Sequence, residues 1–454
     1  MQVKSLPRTS LVLIFSLLSA SAALAQGGFL LQADAAWTTE GVIEPAFVAV
    51  KSGKVVSVGK RPPMMARGLK KVRVEGVLTV GMVDAWSGLL PVRLISQGNR
   101  SASLQVVDSL PTDIAGVDPG LSSRVAAARA AGIAAVYLPS GGAEMQRGLG
   151  TSAGFSANDL PVANGFSAMD LAMGSARMGG VNQFPATKQV SELFESASGL
   201  RDKIDEYPEK LEKFDQDMEK YQEKLDEYKE KKEEAEKAAA KEKAAKKGEE
   251  AKKGDKEKKL EPPKRPKRPQ RPHPTITEDW MLEVIYGERQ VRIHADSAFD
   301  IRAALALKAE YDLDLVIIGG FDADLIADEV AAANVPVVLA ASGDHGSTHP
   351  ERRLAIRYQA LTDAEVTVAL ASGGSDGTAV SILSRAGDLV AAGLDPQVVW
   401  ASLTSIPAEI AGLDATHGDL KVGVAADLIN FQGSGPFNAS ATFRVFRADS
   451  GFDR

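Results

Sequence analysis

Four times between residues 291 and 392 a short apolar run is followed by a helix-forming stretch, and strands joined in this way form a parallel sheet covered on both faces. Val291–His294 precedes Ala298–Tyr311, and Leu315–Ile318 precedes Ala323–Ala333. Pro336–Ala341 precedes Glu351–Ala360, and Val366–Ala371 precedes Ala379–Ala392. Upstream, Val77–Val83 reads as an apolar strand, Leu121–Ala131 as a helix and Ala134–Leu138 as a strand. Four units in one half of the chain suit a closed (β/α)₈ barrel, although an open doubly wound sheet carries the same pattern. Ahead of them, FVAVKSGKVVSVG (Phe47–Gly59) alternates apolar residues around Ser52-Gly53, which predicts a hairpin, and Val72–Val80 continues in short β segments.

The middle of the chain obeys a different period. Apolar residues from Leu200 and Ile204 to Leu225 and Tyr228 are spaced alternately by four and three, the a/d seam of a coiled coil. Pro208 fits only the first turn of a helix, so the helix is expected to start near Asp205. Ala238–Leu260 is Lys, Glu and Ala interrupted by Gly248 and Gly254, and Pro262–Pro274 is rich in proline and cations, hence expected to be extended and solvated. One reading makes the insert a solvated charged helix and linker. The other makes it a helical arm whose seam must be buried on the barrel, a returning helix or a second subunit, the last giving a homodimer.

Lys4 and Arg8, then the apolar Leu11–Leu18, then Ala23-Leu24-Ala25 before Gln26 form the pattern of an export signal. The apolar run is far shorter than the roughly 20 residues of a spanning helix, so a periplasmic or secreted chain with no membrane contact is expected after cleavage. The sequence has no cysteine, so any metal would need His, Asp, Glu or a modified Lys. A net charge of -7 argues against a nucleic-acid partner, which would require a basic surface.

Three stretches resemble the amidohydrolase superfamily, in its imidazolonepropionase-like branch. They are VAVKSGKVVSVG with VLTVGMVDAWSGL in the first ninety residues, VRIHADSAFDIRAAL (Val291–Leu305) with LVIIGGFDADLIADEVAAANVPVVLA (Leu315–Ala340), and a third C-terminal set. That set is TVALASGGSDG (Thr367–Gly377), GLDPQVVWASLTSIPAEIAGL (Gly393–Leu413) and HGDLKVGVAADLINF (His417–Phe431). The resemblance implies a TIM-like barrel flanked by a small β-sandwich made from both chain ends. Residues 26–80 and 413–447 would form the sandwich, 81–195 and 276–412 the barrel, and 196–275 a coiled-coil and Lys/Pro-rich insertion behind a signal peptide at 1–25. It also implies metal-assisted hydrolysis of non-peptide carbon–nitrogen bonds, often in cyclic amides.

Such chemistry needs an ion, held by several side chains at the C-terminal strand ends, that lowers the pKa of a bound water. The resemblance places an H-x-H pair on the first strand, a bridging Lys on the fourth, His on the fifth and sixth, and Asp on the eighth. Here Asp84-Ala85 is kept, but Trp86 and Gly88 stand in the two His places. His294 remains on the fifth strand, Gly319-Gly320 occupies the sixth, and Ser372-Gly373 replaces Ser-Asp on the eighth, with Asp376 three residues on. No bridging Lys is identified. The expectation is therefore an amidohydrolase barrel with lost or strongly altered catalysis, no cofactor, and a small molecule or a partner bound at the mouth or along the arm. The alternative is an active enzyme that holds a divalent metal such as zinc with His294, His345 and His349, with Asp376 handling the proton. His345 and His349 lie in SGDHGSTHP, where a polar capping loop is the plainer reading. Gly154-Phe155-Ser156 and Gly165-Phe166-Ser167 lack the second glycine of a nucleophile elbow and read as loops.

Overall fold

The computed structural model describes residues 28–89, 119–140, 146–173, 183–245, 261–340, 354–373, 380–437, 442–448 and 451–452. Residues 1–192 with 283–454 form one compact unit, and 193–282 a second.

The first unit begins with a two-sheet sandwich. Strands β1 (Phe29–Ala33), β2 (Ala35–Thr38), β3 (Gly41–Ile43), β4 (Ala46–Lys51), β5 (Lys54–Gly59), β6 (Lys70–Arg73) and β7 (Val77–Val80) come from the N-terminal side. The β4–β5 hairpin turns where expected, with Ser52 and Gly53 at φ 52° and 77°, the left-handed pair that a twisted two-residue turn demands. The apolar run at 77–83, read as a single strand, splits at Gly81. β7 stays in the sandwich, and β8 (Met82–Asp84) starts the barrel. A Cβ at Gly81 would sit 2.6 Å from the Ala134 Cβ and 3.2 Å from the Asp427 oxygen, so only glycine lets the chain pass between the two sheets.

The barrel sheet runs in the order β8, β9 (Ile133–Leu138), β10 (Gln146–Phe155), β11 (Pro161–Ala172), β12 (Val291–Ala295), β13 (Leu315–Gly319), β14 (Val337–Ala340) and β15 (Val368–Ala371). The C-terminal strands β16 (Leu428–Phe431), β17 (Phe443–Arg447) and β18 (Gly451–Phe452) return to the sandwich beside β7. Thus the second sheet of the sandwich takes strands from both sides of the barrel. Leu31, Val48, Leu78, Leu428 and Phe446 fill the space between the sheets.

The eight barrel strands depart from a strict (β/α)₈ repeat at one place. β10 is antiparallel to both β9 and β11. Only five residues link Phe155 to Pro161, with Asp159 at φ 55°, and a parallel connection needs a crossover of a dozen or more. Helices do cover the later strands, with α1 (Pro119–Ala130) before β9. The ends of the sheet are tied together by hydrogen bonds rather than by a ladder. Val83 N–H donates to the Leu403 carbonyl at 2.8 Å, and Leu370 N–H to that of Ser402 at 2.9 Å. At the other end of the seam, Asp84 accepts from Ser372 N–H at 2.9 Å and from its hydroxyl at 2.6 Å.

Within the second unit, α2 (Gln183–Asp205) and α3 (Tyr207–Ala245) meet at Glu206. The hydrogen-bond ladder bridges the joint, from Glu206 N–H to Asp202 and from Lys210 N–H to Glu206. The helix expected to begin near Asp205 is therefore preceded by another, and Pro208 lies in the first turn of α3, where its missing N–H costs nothing. The seam residues Leu211, Phe214, Met218, Tyr221, Leu225 and Tyr228 are half-buried between exposed neighbours. The proline-rich tract departs from the expected full solvation: Pro263, Pro266, Pro269 and Pro272 are half-buried as well. α4 (Ile276–Ile285) then opens on a reciprocal cap, with Thr275 N–H donating to Glu278 Oε2 at 2.7 Å and Glu278 N–H donating to the Thr275 hydroxyl. The Thr275 amide and hydroxyl hold the Glu278 carboxyl below its usual range, with a further contribution from the charge of Lys203.

Candidate functional site

Side chains two apart on a strand share a face, so β12 aims Arg292 and His294 into the barrel together. Arg292 is 1% exposed. Its guanidinium carbon lies 3.6 Å from the Tyr137 ring centroid, and Nη2 donates to the Ala85 carbonyl at 2.7 Å. Its Nε and Nη1 are buried without a hydrogen-bond partner. Beside it stands Asp170 of β11, the fourth barrel strand. Asp170 accepts from the Tyr137 hydroxyl at 2.9 Å, from Ser140 N–H at 2.7 Å and from the Ser140 hydroxyl at 2.9 Å. Burial pushes its carboxyl up despite the Arg292 charge and these bonds, and burial together with the Asp170 charge pushes the Tyr137 hydroxyl well up. A permanent cation thus lies inside this barrel beside the Asp170 carboxyl.

His294 sits one layer nearer the mouth. Its Nε2 is 3.4 Å from Asp296 Oδ2, and its Nδ1 is buried without a partner. Burial acts to raise the Asp296 carboxyl, but the bond to His294 and its charge, with Phe321 N–H and Arg357, outweigh it and hold that carboxyl low. Gly319 makes room for the pair: a Cβ there would lie 2.3 Å from Asp296 Oδ1 and 2.8 Å from His294 Nε2. The Trp86 indole stands edge-on to the imidazole, with ring centroids 4.6 Å apart and planes at 77°. Trp86 lines two spaces among the described residues, one of about 10 Å³ against Arg292 and one of about 30 Å³ against Gly319 and Gly373. Each has room for little more than a water molecule. Asp84, fully buried and pushed up by that burial, is committed to Ser372 and to the Trp86 N–H at 3.3 Å.

Of the residues singled out from the sequence, the structure places His294 at the mouth, touching Trp86. Asp376, His345 and His349 lie outside the described residues. Among the described residues no three His, Asp or Glu side chains are grouped to hold an ion. Among the described residues, His294 faces Asp296 and Asp84 is tied to Ser372, so neither side chain is free to join the other around one divalent ion. Sequence reading missed Arg292, Asp170, Tyr137, Ser140 and Asp296. The one available signal was a charged residue inside the apolar strand VRIHA.

His417 lies elsewhere, its ring 3.5 Å from where a Cβ on Gly154 would stand, with Nδ1 2.9 Å from the Thr416 hydroxyl. Burial lowers it from 6.5 to about 4. A histidine kept neutral in the folded state binds its proton more readily when unfolded, so stability falls as pH drops from 6.5 towards 4. The loss is about 2 kcal/mol after allowance for partial exposure, and His417→Gln should flatten that part of a urea-unfolding series measured against pH.

With this geometry in hand, comparison with solved structures defines the fold. The chain superimposes on an amidohydrolase from Thermotoga maritima MSB8 with a TM-score of 0.63, at 20% identity, over 93% of its own length and 99% of that chain. It superimposes on phenylurea hydrolase B with a TM-score of 0.51, at 13% identity, over 94% of this chain and 97% of that one. No family profile and no curated protein matches the sequence. The fold is that of the amidohydrolases, a barrel beside a sandwich, as the resemblance implied.

Proposed function

We propose that this is an exported amidohydrolase-fold protein whose barrel mouth holds no hydrolytic metal ion and which acts by binding. The observation that carries this reading is Trp86, an indole set edge-on against His294 where an ion and its water would need open space. A catalytic metal needs three or so protein donors and a vacant position. Among the described residues, His294 faces Asp296, and the two spaces that Trp86 lines are the size of water. Export is supported by the charged, then apolar, then small-residue pattern of residues 1–25. Among the described residues no helix is long and apolar enough to cross a membrane.

A second reading keeps catalysis, with an ion held by His294, His345 and His349 and the proton handled by Asp376. The unpartnered Nδ1 of His294 favours it, because a buried imidazole nitrogen without a bond is a donor in waiting. Elemental analysis of the purified chain, before and after incubation with zinc and desalting, separates the two. The binding reading expects well under one tenth of an equivalent of zinc. About one equivalent, lost in His294→Ala, would establish the catalytic reading instead.

A further inference from the structure

Two periodicities in the charged insert match each other. Pro263–Pro272 reads Pro-Lys-Arg, Pro-Lys-Arg, Pro-Gln-Arg, Pro. A polyproline II helix has three residues per turn and rises about 3.1 Å per residue, which puts those four prolines on one edge, about 9 Å apart. That edge is half-buried, while Lys264, Arg265, Lys267, Arg268 and Arg271 on the other two edges are exposed. On α3, Tyr207, Phe214, Tyr221 and Tyr228 recur every seventh residue, about 10.5 Å apart, and are half-buried too. The prolines span about 28 Å and the rings about 32 Å. The chain leaves and returns at one base, because Lys203 is near enough to Glu278 for its charge to lower that carboxyl. A tract returning to that base would run antiparallel to the helix and offer one proline to each aromatic.

The charges are sorted by face. Asp205, Glu212, Glu219 and Asp226 each precede an aromatic by two places, which puts them nearly opposite the seam, and all four are exposed. Several lysines of α3 pair with carboxylates of the same helical stretch, as in Lys210–Glu206, Lys231–Glu227 and Lys237–Glu233. None of the five cations of the tract forms an ion pair with a described residue, and the five follow one another along a single extended stretch. The outward edges carry no apolar side chain, so they lack what a lipid surface requires.

We infer that residues 207–245 and 261–272 form a helix–polyproline hairpin, closed by prolines set against the aromatic seam, whose outer edges are a rail of cations, unpaired among the described residues, that binds a linear polyphosphate chain. The rail is held extended before it meets its partner, which lowers the ordering cost of binding. Closing the seam within one chain also removes the surface through which two copies would pair. The rail stands whether or not the barrel mouth takes a metal.

The test uses the full mature chain and long-chain inorganic polyphosphate, with affinity measured from 50 to 300 mM salt. Five phosphate contacts predict a slope of log K on log salt near -3.5, by analogy with about 0.7 per contact for single-stranded nucleic acid. A rail variant combines Lys264→Gln, Arg265→Gln, Lys267→Gln, Arg268→Gln and Arg271→Gln, and should bind at least thirtyfold more weakly with a much flatter slope. A second variant combines Pro263→Gly, Pro266→Gly, Pro269→Gly and Pro272→Gly. It keeps every charge, and should lose about fivefold in affinity while trypsin cuts the tract faster. Wild-type affinity in the rail variant would overturn the polymer site. Unchanged affinity and cleavage in the glycine variant would overturn the hairpin. Binding to anionic vesicles without binding to polyphosphate, or a dimer that dissociates when residues 205–271 are deleted, would likewise refute the proposal.

Discussion

Asp170→Ala is expected to lower the unfolding free energy by about 3–5 kcal/mol, the cost of removing one partner from a buried charge pair. The reason lies in what remains. Arg292 would stay charged and 1% exposed, with Nε and Nη1 already lacking partners and the carboxylate charge that faces it gone. The Tyr137 hydroxyl and the Ser140 N–H and hydroxyl would each lose an acceptor. The double change Asp170→Leu with Arg292→Met should recover much of the loss, because it removes both charges instead of stranding one. Urea unfolding of the single and double variants checks this. A single variant within about 1 kcal/mol of wild type would mean that Arg292 is answered by another group.

The second large effect belongs to Asp84. Asp84→Ala strips the acceptor from Ser372 N–H, the Ser372 hydroxyl and Trp86 N–H, of which the Ser372 pair is buried at the seam between β8 and β15. A cost of about 1–3 kcal/mol follows from the buried Ser372 amide left unpaired, the hydroxyl keeping the Trp86 carbonyl at 3.1 Å as its acceptor, and the amides of Ser372 and Gly373 should exchange faster with deuterium. The charge of Asp84 is a different matter from its shape. Burial raises its carboxyl above 3.8, so the folded state binds that proton more tightly than the unfolded state does. Its contribution to stability is therefore greatest at low pH and declines as pH rises from 3.8 through the raised folded value. Asp84→Asn removes that slope, and a stability profile with the same slope in both proteins would contradict the assignment.

The retained Asp84 shows why part of the site was legible. It stands in a short motif beside Trp86, and the replacement of imidazole by indole can be read from the residues alone. The meeting of Arg292, Tyr137 and Asp170 cannot. These residues lie on β12, β9 and β11, and they meet because the sheet orders those strands β9, β10, β11, β12. No periodicity in the sequence reports which strands become neighbours. The antiparallel β10 was hidden for a related reason. Its residues are small and mixed, and only the five-residue link to β11 forces the reversal.

The heptad seam was legible in the same limited sense. Spacings of four and three fix a helix with one apolar stripe, yet they say nothing about what covers it. The structure half-buries prolines at every third residue at a matching length.

By itself, then, the sequence determined local form: alternating apolar strands and helices, a Ser52-Gly53 turn and a striped charged helix, each set by backbone preference and by hydrophobic period over a few residues. Tertiary structure decided the rest. It sent one apolar run into two sheets at Gly81, gathered Arg292 and Asp170 in the barrel interior, and set the Trp86 indole against His294. Those outcomes depend on contacts between residues tens to hundreds of positions apart, where packing and the pairing of buried charge, rather than local propensity, determine which arrangement has the lower free energy.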